Sequence, residues 1–128
     1  MRGYITNIEQ ETLENTDYRR VLYTAKNSQL VLMSIEPGDE IGEEIHELDQ
    51  FIRLESGSAT VVLNAETHKV SADSAIIIPA GVKHNVINTG GEILKLYSLY
   101  APPEHKDKTV HITKADEQEE HFDGVTTE

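Results

Sequence analysis

Two separated runs carry most of the residues able to hold a metal or move a proton. The first, GEEIHELDQF at 42–51, contains Glu44, His46 and Gln50; the second, PAGVKHNVIN at 79–88, contains His84. If the first run is extended, alternate side chains share a face. Glu44, His46 and Gln50 then point one way, and Ile45 and Phe51 the other. One face would offer a carboxylate oxygen, an imidazole nitrogen and an amide oxygen. Such a mixed set suits iron(II), manganese, nickel or zinc. His84 completes it if a closed sheet lays the second run beside the first. The chain has no cysteine, so neither thiolate ligands nor disulfides enter. A plainer reading of the same residues also stands. A histidine can be a hydrogen-bonded core residue, and Glu44 can be one more member of an acidic loop with Asp39, Glu40, Glu43 and Glu47.

The elements that must position these residues read as strands. Runs at 19–25, 29–36, 43–46, 49–55, 59–63, 67–71, 75–78, 83–88 and 92–100 are broken by turn signals such as Pro37-Gly38-Asp39 and Pro79-Ala80-Gly81. Many short strands at this spacing predict an all-β sandwich or closed barrel. A short edge strand is expected at 4–8. One helix is expected, at 113–121, where Thr113 and Asp116 have capping-box spacing and Glu119 and Glu120 sit at the end the dipole disfavours. Several strands are apolar on both faces. AIII at 75–78 has no polar side, and QLVLMSI and ILKLYSLY carry Leu or Ile at both parities. A half-exposed strand alternates, so the outer face needs a cover, and a homodimer is expected to supply it. Phe51 and Arg53 share that outer parity.

The totals bound the function. A chain of 128 residues without internal repeat or linker is read as one domain. Its net charge of -12 argues against nucleic acid and anionic membrane as partners. Six of the carboxylates fall between Asp116 and Glu128, with no Lys or Arg among them, so part of the excess belongs to a tail. The N-terminal residues form no signal-like apolar run, and no window has the length of a membrane helix. A cytoplasmic location is the resulting expectation.

The spacing adds more than composition can. Gly38, Glu44, His46, Gln50 and Gly57 are separated by five, one, three and six residues; Pro79, Gly81, His84 and Asn88 by one, two and three. This resembles the two signature motifs of the cupin superfamily. There the first motif runs Gly, five residues, His, one, His, three or four, Glu, six, Gly. The second runs Gly, five, Pro, one, Gly, two, His, three, Asn. The resemblance covers 38–88 by motif, is similar to small single-domain cupins (often named mannose-6-phosphate isomerase-like), and extends to the run 100–117 as their C-terminal extension. It implies a jelly-roll β-barrel with a core at about 19–101 and an extension at about 102–128. It also implies dimerisation and a divalent metal held by three His and one Glu.

Three departures bear on that implication. Glu44 stands in place of the first His, Gln50 in place of the Glu, and Asp73 in place of the Gly that opens the second motif. Asp tolerates tight turns, so Asp73 is read as a turn adjustment. The other two move the single carboxylate rather than delete it, leaving one negative ligand against a divalent ion. Glu44 is read as ligand or as general base with a pKa raised by burial, and Gln50 as ligand or as a group orienting a metal-bound water. Function is then expected to be metal-dependent chemistry of dioxygenase or isomerase type on a small molecule in the barrel. The alternative is a non-catalytic barrel binding a metal or a sugar-like ligand. Tyr23, Met33, Tyr97 and Tyr100 are read as core or pocket lining. His105 either folds back to the barrel mouth or is exposed, and His68, His111 and His121 are read as surface.

Overall fold

The structure is a computed structural model and describes residues 2–118 and 120–128. Among the described residues, nine strands form two antiparallel sheets: β1 Arg19–Thr24, β2 Gln29–Ile35, β3 Asp49–Ser56, β4 Ser58–Leu63, β5 Glu66–Ser71, β6 Ala75–Ile78, β7 His84–Ile87, β8 Leu94–Ala101 and β9 Val110–His111. The larger sheet has the order β6-β3-β8-β2-β1-β9, and the smaller β5-β4-β7. Single bridges from Glu40 to Ile87 and from Glu44 to His84 lay the 40–44 segment along β7. The strand expected at 43–46 is therefore only this isolated bridge.

The core lies between the sheets. Val31, Met33 and Ile35 of β2, Ile52 and Leu54 of β3, and Leu94 and Leu96 of β8 alternate inward and meet Val61 and Val86 from the smaller sheet. Sealing each such side chain contributes about 1.5–3 kcal/mol. Turns close where residue chemistry allows left-handed backbone. Asp73 sits at φ 72°, in keeping with its reading as a turn residue. Gly57 has φ 95°, and a Cβ there would lie 3.1 Å from the Ile93 carbonyl oxygen, so the first motif ends on a residue that only glycine fits.

The N-terminal segment corrects the sequence reading. The 4–8 edge strand is absent, and a helix, α1, spans Ile8–Glu14. Asn7 caps it, its Oδ1 accepting from the Gln10 N–H at 3.1 Å, and Glu9 and Glu11 suit the positive end of the dipole. Buried Thr12 donates to the Ile8 carbonyl at 2.7 Å, and α1 packs on β2, β3 and β8. This explains part of the two-sided apolarity. Leu32 has the opposite parity to Val31 and Met33 and is nonetheless 1% exposed. The other end of the same face stays open. Leu30, Leu99, Phe51 and Ile77 line up in register across β2, β8, β3 and β6, and Ile77 is 69% exposed.

The C-terminal helix is shorter than its capping box suggested. Thr113 and Asp116 do form the box, but the helix is one 3-10 turn, Lys114–Asp116. Glu117 leaves it with an extended ψ of 129°, and its side chain turns to Arg19. Glu119, expected near that helix's end, lies outside the described residues.

Candidate metal centre

Backbone hydrogen bonds staple the two motif segments together. The Ile41 N–H donates to Val86 and the Gly81 N–H to His46; Glu44 and His84 exchange both of their N–H groups at 2.9 Å. Gly42 N–H is held by the Asn85 side chain at 2.9 Å. Residues 40 positions apart along the chain (84 − 44) thus face each other by ladder geometry. The distance in sequence is bridged by β3 to β6, which the barrel folds between them.

On that frame, ligand atoms of Glu44, His46 and His84 lie within 4.8 Å of one another. The imidazole centroids of His46 and His84 are 5.2 Å apart. His84 Nδ1 faces the Val82 carbonyl at 2.9 Å, so Nδ1 carries the hydrogen and Nε2 keeps its lone pair for a ligand. Glu44 Oε2 and His46 Nε2 meet at 2.5 Å, while His46 Nδ1 faces Glu104 Oε2 at 3.6 Å.

Gln50 lies buried on the inner face of β3. It pairs in register with Tyr100, whose ring lies edge-on to His46 at 6.2 Å. Gln50 Nε2 donates to Ser98 Oγ at 3.2 Å, but Oε1 is sealed from solvent with no partner among the described residues. A buried amide oxygen without a donor costs roughly 1–3 kcal/mol. The donor set therefore fits a divalent cation: two imidazole nitrogens and a carboxylate oxygen converge, and a buried amide oxygen on β3 is unsatisfied.

The electrostatics refine the expected roles. Burial is the largest influence on Glu44 and pushes it up, but the hydrogen bond and charge of His46, with Arg19 and His84, outweigh it and hold the carboxyl below its ordinary value. This corrects the raised pKa expected of a general base. His46 moves the other way: the Glu44 hydrogen bond lifts it above the usual imidazole value against burial, and the Glu104 charge adds to the rise. His105 is pushed down to about 3, chiefly by burial and then by the Arg19 charge, so its imidazole is neutral.

Several residues around the site were not legible in the sequence. Gln29, buried on β2, grips the returning chain. Its Oε1 accepts from the His105 N–H at 2.9 Å and its Nε2 donates to the His105 carbonyl at 2.7 Å. That clamp sets Glu104 against His46 and brings His105 Nε2 to 3.4 Å from the Tyr100 hydroxyl. His105 thus folds back to the barrel mouth. His111, expected at the surface, is 7% exposed, its Nδ1 3.2 Å from Arg19 Nη1. His68 and His121 are exposed as expected. Tyr100 is the one tyrosine of the expected set beside the centre. Met33 is core, Tyr23 stacks on Tyr4, and Tyr97 meets Phe51 on the outer face. A cavity of about 420 Å³ opens over Glu44 and His46, walled by Arg19, Glu104, His105 and Glu117.

Comparison with known proteins agrees with this architecture. The family model described as "Cupin domain" matches residues 31–100. An uncharacterized protein of Bacillus subtilis, YrkC, is 48% identical over 122 residues, 90% of this chain; the chain spans 66% of that relative's length. An uncharacterized protein of Acanthamoeba polyphaga mimivirus is 40% identical over 116 residues, covering 87% of this chain and 72% of that one. A crystal structure from Bacillus halodurans superposes with a TM-score of 0.88 at 49% identity, covering 90% of this chain and 92% of the other. The motif spacing, the antiparallel double-sheet barrel and the family match together place this chain in the cupin family.

Proposed function

We propose that the chain is a metal-dependent cupin enzyme of dioxygenase or isomerase type, acting on a small molecule in the barrel mouth. Glu44, His46 and His84 would hold a divalent iron, manganese, nickel or zinc ion, with the Gln50 carbonyl as a fourth donor or as acceptor to a bound water. The observation that carries the reading is the convergence of the Glu44, His46 and His84 ligand atoms within 4.8 Å; the sealed Gln50 amide oxygen, without a donor among the described residues, supports it. A bound ion would supply Lewis acidity and, for iron or manganese, a redox centre. The protein's own part is to orient and to manage protons. Val82 fixes the His84 tautomer, and Glu104 faces the far nitrogen of His46. Glu44, held ionised, suits ligation or acceptance of a substrate hydroxyl better than proton abstraction. Neutral His105 and the Tyr100 hydroxyl offer hydrogen bonds without charge.

A second, non-catalytic reading is favoured by one contact. The Glu44–His46 hydrogen bond already satisfies both groups at 2.5 Å, as a pocket for a neutral sugar-like ligand would. Metal analysis separates the two readings. Purified without a polyhistidine tag and reconstituted, the wild type is expected to retain about one ion per chain and His84→Ala far less. Absence of metal from both after exposure to all four ions would leave the metal-free pocket.

The same proposal takes residues 1–128 as a single cytoplasmic unit, with the barrel at about 19–101 and the extension at about 102–128 closing one side of the mouth. It also takes the chain as a homodimer, formed where Leu30, Leu99, Phe51 and Ile77 leave an apolar row uncovered by α1.

A further inference from the structure

Arg19 is an unusual residue to find at 3% exposure in a chain of net charge -12. Among the described residues it is the only Lys or Arg lining the barrel-mouth cavity. Its plane sits over the Tyr18 ring, with Cζ 5.3 Å from the centroid. Its hydrogen bonds run through one nitrogen: Nη1 donates to Glu117 Oε2 at 2.7 Å and lies 3.2 Å from His111 Nδ1. Among the described residues, Nε is sealed with no partner and Nη2 makes no hydrogen bond. A guanidinium presents paired N–H groups whose geometry matches the two oxygens of a carboxylate. Glu117 uses that fork with a single oxygen. A buried guanidinium with an edge unfilled is an expensive arrangement unless something else fills it.

Glu117 is also poorly placed to be a permanent partner. It follows a single 3-10 turn beyond the two-residue strand β9, and its side chain is 33% exposed. We propose that the barrel mouth binds the carboxylate of a small monocarboxylic acid on Arg19, in the position now taken by the Glu117 side chain. This deepens the preceding reading, since it would place the rest of the acid over Glu44 and His46, but binding at Arg19 itself needs no metal. The remaining wall sets the charge limit. Glu44, Glu47, Glu104 and Glu120 face the same cavity, so one negative charge can be matched by Arg19 and a second would meet carboxylates. A cavity of about 420 Å³ lies at the small end of ligand sites.

The test titrates pyruvate, acetamide and inorganic phosphate into the full chain, stripped with EDTA and then loaded with zinc, by calorimetry and amide chemical shifts. Glu117→Ala removes the internal competitor and is expected to bind pyruvate at least tenfold more tightly than wild type, with and without metal. Acetamide should bind neither form. Arg19→Met should abolish pyruvate binding. If that variant does not fold, Glu117→Ala decides, with Glu117→Gln, which keeps an oxygen acceptor for Arg19 but not the competing charge, as its folded counterpart. Pyruvate affinity unchanged or weakened in Glu117→Ala overturns the proposal, as does equal binding of acetamide. Tighter binding of phosphate than pyruvate overturns the monocarboxylate class. The zinc content of wild type and Glu117→Ala reports separately on the metal reading. Pyruvate binding without zinc retention leaves this proposal standing and removes that one.

Discussion

Asn88, the last residue of the second motif, is a structural tie rather than a site residue, and its removal should be costly. It is 1% exposed. Its Nδ2 donates to the Ile35 carbonyl and to the Glu92 carbonyl, both at 2.8 Å, and its Oδ1 accepts from the Gly90 N–H at 3.0 Å. One side chain thus joins the end of β2 to the turn that leads into β8. In Asn88→Ala the Ile35 carbonyl is left buried without its donor, at about 2 kcal/mol, and the two half-buried bonds lose about 1 kcal/mol each. The sum is about 4 kcal/mol, a large part of the 5–15 kcal/mol typical of a domain. In urea, with m near 2 kcal/mol per molar, the midpoint should fall by about 2 M at unchanged m. Thr60→Ala is the control. It breaks an exposed hydroxyl pair with Thr89 of similar length, 2.9 Å, and should move stability by less than about 0.5 kcal/mol. A loss under about 1 kcal/mol in Asn88→Ala would refute the argument that these three bonds fix the motif.

The remaining predictions concern the centre and the outer face. Gln50→Glu puts a carboxylate where an amide oxygen is sealed; it should tighten zinc binding about tenfold or more while destabilising the metal-free protein by about 2 kcal/mol or more. Calorimetry with zinc and thermal melting in EDTA read the two effects, and unchanged zinc affinity would move Gln50 out of the site. In the metal-free protein, the raised His46 contributes stability below the ordinary imidazole value of 6.5 and loses it as pH rises through its folded pKa; the lowered Glu44 contributes above 4.5 and loses it as pH falls through its own. Glu44→Gln should therefore differ most from wild type between about 4.5 and 6.5, and urea midpoints across that range that run parallel would contradict the pairing. Ile77→Glu should convert a sedimenting dimer to a folded monomer, because Ile77 is 69% exposed in the open apolar row; a monomeric wild type would dismiss the interface.

Local chemistry made the barrel legible. Strand runs and turn residues lie close together in sequence, so β-branched stretches, Pro37-Gly38 and Pro79-Ala80-Gly81 marked nearly every strand to within a residue or two. The pairing of His46 with His84 was legible only through the motif spacing, which stands in for a register that composition cannot supply. The N-terminal helix was missed because its signal is a lone Asn7 cap with acids in the first turn, set among scattered apolar residues that also fit a short strand. What stayed hidden has one cause. Gln29 gripping His105, Arg19 meeting Glu117, and Glu104 facing His46 all join residues 58–98 positions apart, and each depends on where the C-terminal extension crosses the barrel mouth. Nothing local to Arg19 distinguishes it from its neighbour Arg20, yet Arg19 is buried and Arg20 is half exposed.

The metal claim is tested most directly by X-ray absorption fine structure on zinc-loaded protein. The account predicts two imidazole nitrogens with oxygen donors in the wild type, and one imidazole in His84→Ala. A zinc environment without imidazole scattering, or one identical in the two proteins, would contradict it.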